Sequence, residues 1–162
     1  EEIIDCLPDL PDYKLILAGE GDLSQELRNR VTKMQLSQQV LFLGWIAPEN
    51  LPLWTCKASI GLNLLVANSE SYYYSLANKA FDYIQAELPT LHMDFPEYRL
   101  LFHEGPIGVL VKDLQKNTLI ASIRILEDPD YYHSCQNNIL ALQPSVTWEV
   151  EQEKLLRIYR GI

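Results

Sequence analysis

Basic residues are few in this 162-residue sequence. Lysine and arginine number 13 against 22 aspartates and glutamates, which gives a formal net charge of −9. A face that binds nucleic acid needs clustered lysine and arginine for its phosphate contacts, so we expect no nucleic-acid partner. The charge does not exclude a single nucleotide as a ligand, because one local cation or a helix N-terminus is enough to hold a phosphate group.

Metal-ligand patterns are also lacking. The three cysteines are scattered along the chain at Cys6, Cys56 and Cys135. Their spacing fits neither a metal site nor a disulfide framework, so we expect three free thiols in a reducing cytosol, and hence a cytoplasmic protein. The histidines are isolated as well, at His92, His103 and His133. Because a metal site needs converging ligands, we expect no metal ion.

Long apolar runs are missing too. None reaches the roughly 18 residues that a transmembrane helix needs. The chain opens on EEII, which lacks the basic segment of a signal peptide and an initiator methionine, so we expect a piece of a longer protein. The length and a content of 48% apolar residues predict one globular domain over residues 1–162.

What the sequence does contain is an alternation of short apolar runs with amphipathic segments. The runs that read as strands cover 14–18, 40–45, 58–65, 88–93 and 107–111. This order predicts an α/β fold with a parallel sheet covered by helices on both faces, which binds ligands at the carboxyl ends of its strands. We expect one more strand before Glu1, because an α/β fold rarely opens on the end of a helix.

Some helices can be described in more detail. Asp22 is predicted to cap the second helix, with Gln25 at the capping-box position. Trp148 is expected to anchor the last helix, which covers 148–162. One stripe of that helix carries Leu155, Tyr159 and Ile162.

The segment SESYYYSLANKAFDYIQAELPTL, 69–91, has the pattern most suggestive of a ligand site. With Ser75 as N-cap, a helix over 76–86 would turn four residues towards the sheet: Ala77, Ala80, Phe81 and Ile84. The opposite face would be polar, with Ser75, Asn78, Lys79 and Asp82. The preceding tyrosines, 72–74, would either pack against another domain or stack on a sugar.

That polar face has two interpretations. The helix N-terminus and Lys79 together could hold a phosphate group, while the Asp82 carboxylate could accept hydrogen bonds from a pair of sugar hydroxyls. Alternatively, it is an ordinary solvated face, on which a Lys79–Asp82 pair contributes about 0.2–0.5 kcal/mol.

The sequence GEGD, 19–22, lies between a predicted strand and a helix. Gly19 and Gly21 would let a ligand approach the backbone closely. The sequence does not match a dinucleotide-binding fingerprint at two positions. Ser24 occupies the third glycine position, and no acidic residue stands at the end of the next strand. A phosphate-binding P-loop is also lacking.

Taken in order, these segments resemble the C-terminal, donor-binding domain of the group 1 (family 4) glycosyltransferases, which have the GT-B fold. The matching stretches are YKLILAGEGD, VLFLGW, ASIGLNLL and the final TWEVEQEKLLRIYRGI. The most specific is SLANKAFDYIQAELPTL, which is similar to the family's N-K-x-x-E-Y helix with its following Pro-bounded strand.

The resemblance implies a role for each candidate residue. Backbone amides of the helix that begins near Leu76 and Ala77 would receive the donor diphosphate. Asp82 takes the place of the second Glu of the family's E-x7-E motif, which binds the nucleotide ribose. Trp45 and Ile46 would lie against the base, and Gly19 and Gly21 would line the donor cleft.

Besides Asp82, which replaces a Glu, a second position departs from the family pattern. Tyr74 stands where the motif has its first Glu, and a tyrosine cannot accept sugar hydroxyls in the same way. Glu70, a few residues upstream, is a candidate substitute. No residue is assigned a catalytic role.

The implied activity is sugar transfer from a nucleotide-diphospho-sugar such as a UDP-sugar to an acceptor, with retention of configuration and without a metal cofactor. A separate N-terminal domain would bind the acceptor and could contact a membrane peripherally. Polysaccharide or other glycoconjugate synthesis would fit, and this chain alone would be inactive. Two alternatives are a non-catalytic nucleotide-sugar-binding or partner module, and half of another nucleotide-sugar enzyme such as an epimerase.

Overall fold

The computed structural model describes residues 1–161, and its strands and helices alternate along most of the chain. The strands are β1 (Leu15–Ala18), β2 (Val40–Gly44), β3 (Gly61–Asn63), β4 (Thr90–Met93) and β5 (Gly108–Val111). The helices are α1 (Glu2–Cys6), α2 (Ser24–Lys33), α3 (Leu51–Thr55), α4 (Glu70–Tyr73), α5 (Asn78–Gln85), α6 (Pro96–Leu101), α7 (Lys116–Ile125), α8 (Pro129–Leu142) and α9 (Trp148–Arg160).

The strands form parallel sheets, as an α/β fold requires. β1 pairs with β2, and β4 lies between β3 and β5 in a three-stranded sheet. The α/β prediction is confirmed, but the strands lie in two sheets instead of one, because within residues 1–161 no ladder joins β1 to β3.

β4 is the most deeply buried strand, with all four residues inaccessible. β5 approaches it closely because Gly108 has no side chain. A Cβ atom at Gly108, whose φ is +153°, would lie 1.9 Å from the Thr90 carbonyl oxygen. Glycine is therefore required at this position.

Apolar side chains on both sides of α1 connect the two sheets. Ile4 packs in a cluster with β1, α2 and β2, which we call the first cluster. Cys6 packs in a second cluster with β4, β5, α7 and α8. Ile3 and Leu62 contact both clusters. As expected, all three cysteines are free.

Two predicted helix starts are wrong. α2 begins at Ser24 and is not capped by Asp22, because the Ser24 hydroxyl accepts the Gly21 N–H at 2.8 Å and closes the turn before the helix. α5 begins at Asn78, and its N-cap is Ala77 instead of Ser75. The unforeseen helix α4, capped by Ser69, takes up the tyrosine segment.

The last helix also differs from expectation. α9 has no buried residue, and Trp148 is 67% exposed, so this tryptophan does not anchor the helix against the rest of the chain. The predicted stripe residue Ile162 lies outside the described residues. Among the helices of residues 1–161, none is long and apolar enough to cross a membrane.

Candidate functional site

The helix α5 has two distinct faces, as its sequence predicts. Ala80 and Ile84 are completely buried. Asn78, Lys79 and Asp82 are exposed on the other side. The helical periodicity therefore separates core from solvent at these positions, whereas Phe81, also predicted to face the sheet, is half-buried and Ala77 precedes the helix.

The first turn of α5 presents unsatisfied hydrogen-bond donors. The backbone N–H groups of Asn78 and Lys79 have no acceptor within the described part of the chain, whereas that of Ala80 bonds to the Ala77 carbonyl at 2.9 Å. The Lys79 ammonium forms no ion pair with any described residue. Free amides and an unpaired cation at one helix N-terminus can hold an anion such as a phosphate group.

Two of the three residues before α5, Ser75 and Ala77, do not act as predicted. Ser75 donates its hydroxyl to the Tyr72 carbonyl at 2.8 Å, which closes α4. Leu76 is half-buried and packs against the apolar cluster that contains Ala80 and Tyr98. The Ala77 N–H donates to the Tyr98 hydroxyl at 3.1 Å and is therefore not available to a ligand.

The Asp82 carboxylate has no ion pair with any described residue. Loss of hydration through partial burial raises the pKa of its carboxyl group above the ordinary value, and no cation counters this effect. The Lys79–Asp82 pair of the alternative interpretation is not formed among residues 1–161. Asp82 thus keeps its acceptor oxygens available for hydroxyl groups.

The tyrosines of the α4 segment divide between core and surface. Tyr73 packs against Phe95, with ring centroids 5.2 Å apart. Tyr74 places its edge against Tyr73 at 5.0 Å and remains 60% exposed, and Tyr72 is 49% exposed. Glu70 lies in the first turn of α4.

Gly19 and Gly21 lie on a separate cleft at the carboxyl end of β1. The cleft has a volume of about 250 Å³ and an apolar wall that includes Leu17, Leu27 and Phe42. Gly19 has φ +119° and donates its N–H to the Gly44 carbonyl at 2.7 Å, which holds the ends of β1 and β2 together.

Trp45 and Ile46 follow directly after Gly44. Trp45 is 74% exposed and Ile46 is half-buried. The structure therefore brings the candidate residues together in two groups, one at the glycine cleft and one at α5. No hydrogen bond or ion pair between described residues joins these groups.

Sequence reasoning missed a buried polar network beneath the start of α5. Asn63 and His92 are register partners on β3 and β4, and the Asn63 Nδ2 lies 3.0 Å from the His92 Nδ1. The His92 ring stacks on the Tyr98 ring, with centroids 4.8 Å apart. All three side chains are fully buried. The available signal was a polar residue interrupting each of two apolar strands.

Burial also determines the charge of His92. Loss of hydration, with a smaller contribution from the Lys79 charge, lowers the pKa of His92 to about 4. The imidazole is therefore neutral at pH 7, as expected of a structural histidine. In residues 1–161, no group of three or more histidine, cysteine, aspartate or glutamate side chains could hold a metal ion.

Comparison with known proteins extends these observations. The profile of the family described as "Glycosyl transferases group 1" matches residues 1–141. The chitobiosyldiphosphodolichol beta-mannosyltransferase of Yarrowia lipolytica is 27% identical over 104 residues, which make up 64% of this chain and 22% of that protein. The matched part therefore spans about a fifth of this relative.

Solved structures match nearly the whole chain. Sucrose-phosphate synthase from Thermosynechococcus elongatus superposes with a TM-score of 0.80 at 21% identity, covering 99% of this chain and 41% of that one. Anabaena HepE, in complex with UDP and glucose, superposes with a TM-score of 0.79 at 19% identity, covering 99% of this chain and 44% of that one. These likenesses show the fold, in which parallel sheets are flanked by helices as in GT-B glycosyltransferases.

Proposed function

The chain belongs to the group 1 glycosyl transferases, and from this we propose that it binds a nucleotide-diphospho-sugar at the start of α5 and presents it for sugar transfer. The observation that carries the proposal is the pair of unsatisfied N–H groups of Asn78 and Lys79, beside the unpaired Lys79 ammonium. These groups match the charge and the acceptor oxygens of a diphosphate.

The proposed chemistry relies on electrostatics. As the sugar leaves, negative charge accumulates on the diphosphate, and donors already oriented towards it stabilise the transition state. Asp82 lies one turn further along α5, where its carboxylate would accept hydrogen bonds from the ribose hydroxyls. We propose a metal-independent reaction with retention of configuration.

The remaining candidate residues would complete the donor site. Gly19 and Gly21 would line the cleft, and Trp45 and Ile46 would lie against the base. Tyr74 or Glu70 would meet the sugar where the family has a glutamate. UDP is the first nucleotide to test, because it is bound in the HepE structure.

The whole protein is proposed to be a cytoplasmic enzyme of polysaccharide or glycoconjugate synthesis. A separate N-terminal domain would bind the acceptor, with peripheral membrane contact through that domain. We propose that the 162-residue chain alone binds donor nucleotide weakly and transfers no sugar, because GT-B enzymes react between two domains.

A second candidate is a non-catalytic module that retains nucleotide-sugar binding. The presence of Tyr74 at the family's first Glu position favours this alternative. Hydrolysis or transfer assays with the full-length protein separate the two: donor binding without turnover of any sugar nucleotide would support the module.

The proposed site can be tested by calorimetric titration of the full-length protein with UDP, GDP and ADP. We expect one of them to bind. Lys79→Ala should weaken its binding by about tenfold, because one charge-assisted hydrogen bond is lost. Asp82→Asn should weaken binding of the nucleoside as well, because the ribose contact is lost.

Matched controls lie far from α5. Lys14→Ala removes an exposed cation before the amino end of β1, and Asp12→Asn neutralises an exposed carboxylate nearby. Both variants should bind like the wild type. The proposed site would be rejected if no nucleotide binds, or if Lys79→Ala and Lys14→Ala have the same effect.

A further inference from the structure

The buried network under α5 ends on the backbone of the candidate diphosphate site. Tyr98 accepts the N–H of Ala77, the residue directly before Asn78 and Lys79. Ala77 is held in an extended conformation, with φ −74° and ψ 140°, and the helix begins at the next residue. The position of this one peptide determines where the free amides of Asn78 and Lys79 point.

Tyr98 is itself held in place from the core. Its ring stacks on His92 with an interplanar angle of 22°, and the Phe95 ring is tilted against it with centroids 6.3 Å apart. Because the Asn63 Nδ2 can only donate, the His92 Nδ1 must accept, which places the proton of the neutral imidazole on Nε2. A chain of buried contacts thus runs from β3 through β4 and α6 to α5.

The network has the features of a positioning device. Tyr98, His92 and Asn63 have no exposed surface, so none of them can touch a ligand directly. Two atoms of the network, the Asn63 Oδ1 and the His92 Nε2, have no hydrogen-bond partner among the described residues, so its geometry rests on the Asn63–His92 contact, the stacked rings and the Tyr98–Ala77 bond. A helix N-terminus anchored in this way cannot shift without breaking the Tyr98 bond.

We propose that Tyr98 is a positioning residue for diphosphate binding. Its hydroxyl group holds the Ala77 N–H and thereby directs the Asn78 and Lys79 amides towards the phosphate oxygens. The inference rests on the proposed function, since it assigns Tyr98 a role in the same site. Preorganised donors bind an anion more tightly than mobile ones because less conformational freedom is lost on binding.

The test uses Tyr98→Phe in the full-length protein, since phenylalanine keeps the stacked ring and removes the hydroxyl group. Affinities are measured for UDP, GDP and ADP and for uridine, guanosine and adenosine. Tyr98→Phe should weaken binding of the nucleoside diphosphate by about tenfold. Nucleoside binding should change by less than about twofold, because the proposed base contact lies after β2 and Asp82 lies one turn beyond the amides on α5.

Tyr131→Phe is the matched control. Its hydroxyl donates to the Gly108 carbonyl at 2.8 Å, so the substitution also removes a tyrosine–backbone hydrogen bond, but on α8. Tyr131→Phe should lower the melting temperature about as much as Tyr98→Phe does. It should leave the affinities for nucleoside and nucleoside diphosphate unchanged. Equal losses for nucleoside and nucleoside diphosphate in Tyr98→Phe, or equal effects of the two substitutions, would overturn the inference.

A double-mutant cycle removes the same bond from its other side. Ala77→Pro lacks the N–H, and the φ of −74° suits proline. If the bond carries the effect, Tyr98→Phe should change the diphosphate affinity by less than about twofold in the Ala77→Pro background. An undiminished effect there would contradict the role of this bond.

The two levels of the proposal can fail separately. Absence of diphosphate binding by the wild type rejects the proposed function itself. Binding that weakens in Lys79→Ala but not in Tyr98→Phe keeps the site and rejects the positioning role.

Discussion

At the level of single residues, His92 shows how burial determines chemical state. It lies on β4 with no exposed surface, against Tyr98 and near the charge of Lys79. A protonated imidazole there would lose its hydration and would be repelled by the positive charge of Lys79, so the neutral form is favoured. This neutral ring is what allows Nδ1 to accept from Asn63.

The stability of the fold should therefore depend on the protonation of His92. The pKa of His92 is about 4 in the folded chain, compared with 6.5 for an ordinary histidine, which represents the unfolded chain. As the pH falls, the unfolded state therefore binds the proton before the folded state does. Stability should be unaffected by His92 above pH 6.5 and should fall by about 3 kcal/mol between pH 6.5 and 4. Urea unfolding at several pH values measures this loss.

A variant comparison separates His92 from the carboxylates that titrate in the same range. His92→Gln cannot titrate and should show a shallower loss of stability below pH 6.5. His103→Gln, which replaces an exposed histidine, is the matched control. If the free energy of unfolding falls equally steeply with decreasing pH in the wild type and both variants, His92 does not titrate with a shifted pKa.

At the level of elements, capping determines where the helices begin. Asp128 accepts the Tyr131 N–H at 2.8 Å and so caps α8. Asp22 was the predicted cap of α2, but its side chain has no bond to that helix in the structure. A capping side chain stabilises a helix because it satisfies an N–H that otherwise has no partner.

The two aspartates should therefore differ in their contribution to stability. Asp128→Ala should lower the free energy of unfolding by about 1 kcal/mol, measured by urea denaturation. Asp22→Ala should cost at most about 0.5 kcal/mol, because only a favourable charge near a helix start is lost. A larger loss for Asp22→Ala than for Asp128→Ala would contradict the observed helix boundaries.

The type of each element was more predictable than its bounds. The strands, the two faces of α5 and most helices follow from periodicity in a short window. The starts of α2 and α5 do not, because each is decided by competing hydrogen bonds of Ser24, Ser75 and Tyr98. α4 was missed because three consecutive tyrosines carry little helical signal.

At the level of the whole molecule, the two sheets are joined through shared apolar contacts. Leu62 on β3 packs against both the first and the second cluster, whereas Leu17 on β1 packs against the first. A side chain that belongs to two clusters loses contacts in both when it is truncated.

Leu62→Ala should therefore be more costly than Leu17→Ala. We expect the free energy of unfolding to fall by about 2 kcal/mol for Leu62→Ala and by less for Leu17→Ala. Both are half-buried strand leucines, so they form a matched pair for chemical denaturation. Equal losses would indicate that Leu62 does not connect the two clusters.

The sequence by itself determined the fold class, the polar face of α5 and the family, because periodicity, local spacing and a characteristic motif are all properties of neighbouring residues. It located Asn78, Lys79 and Asp82 on one helix face for the same reason. The roles of Gly19, Gly21, Trp45 and Ile46 remain predictions for the binding experiments.

Tertiary structure alone decided which amides of the site are free. Tyr98 lies 21 positions from Ala77, and Asn63 lies 29 from His92. Such pairs meet only when strands and helices have packed, so no local pattern reveals them. The fold thus gives the Ala77 N–H a partner in Tyr98 and leaves those of Asn78 and Lys79 without a partner among the described residues.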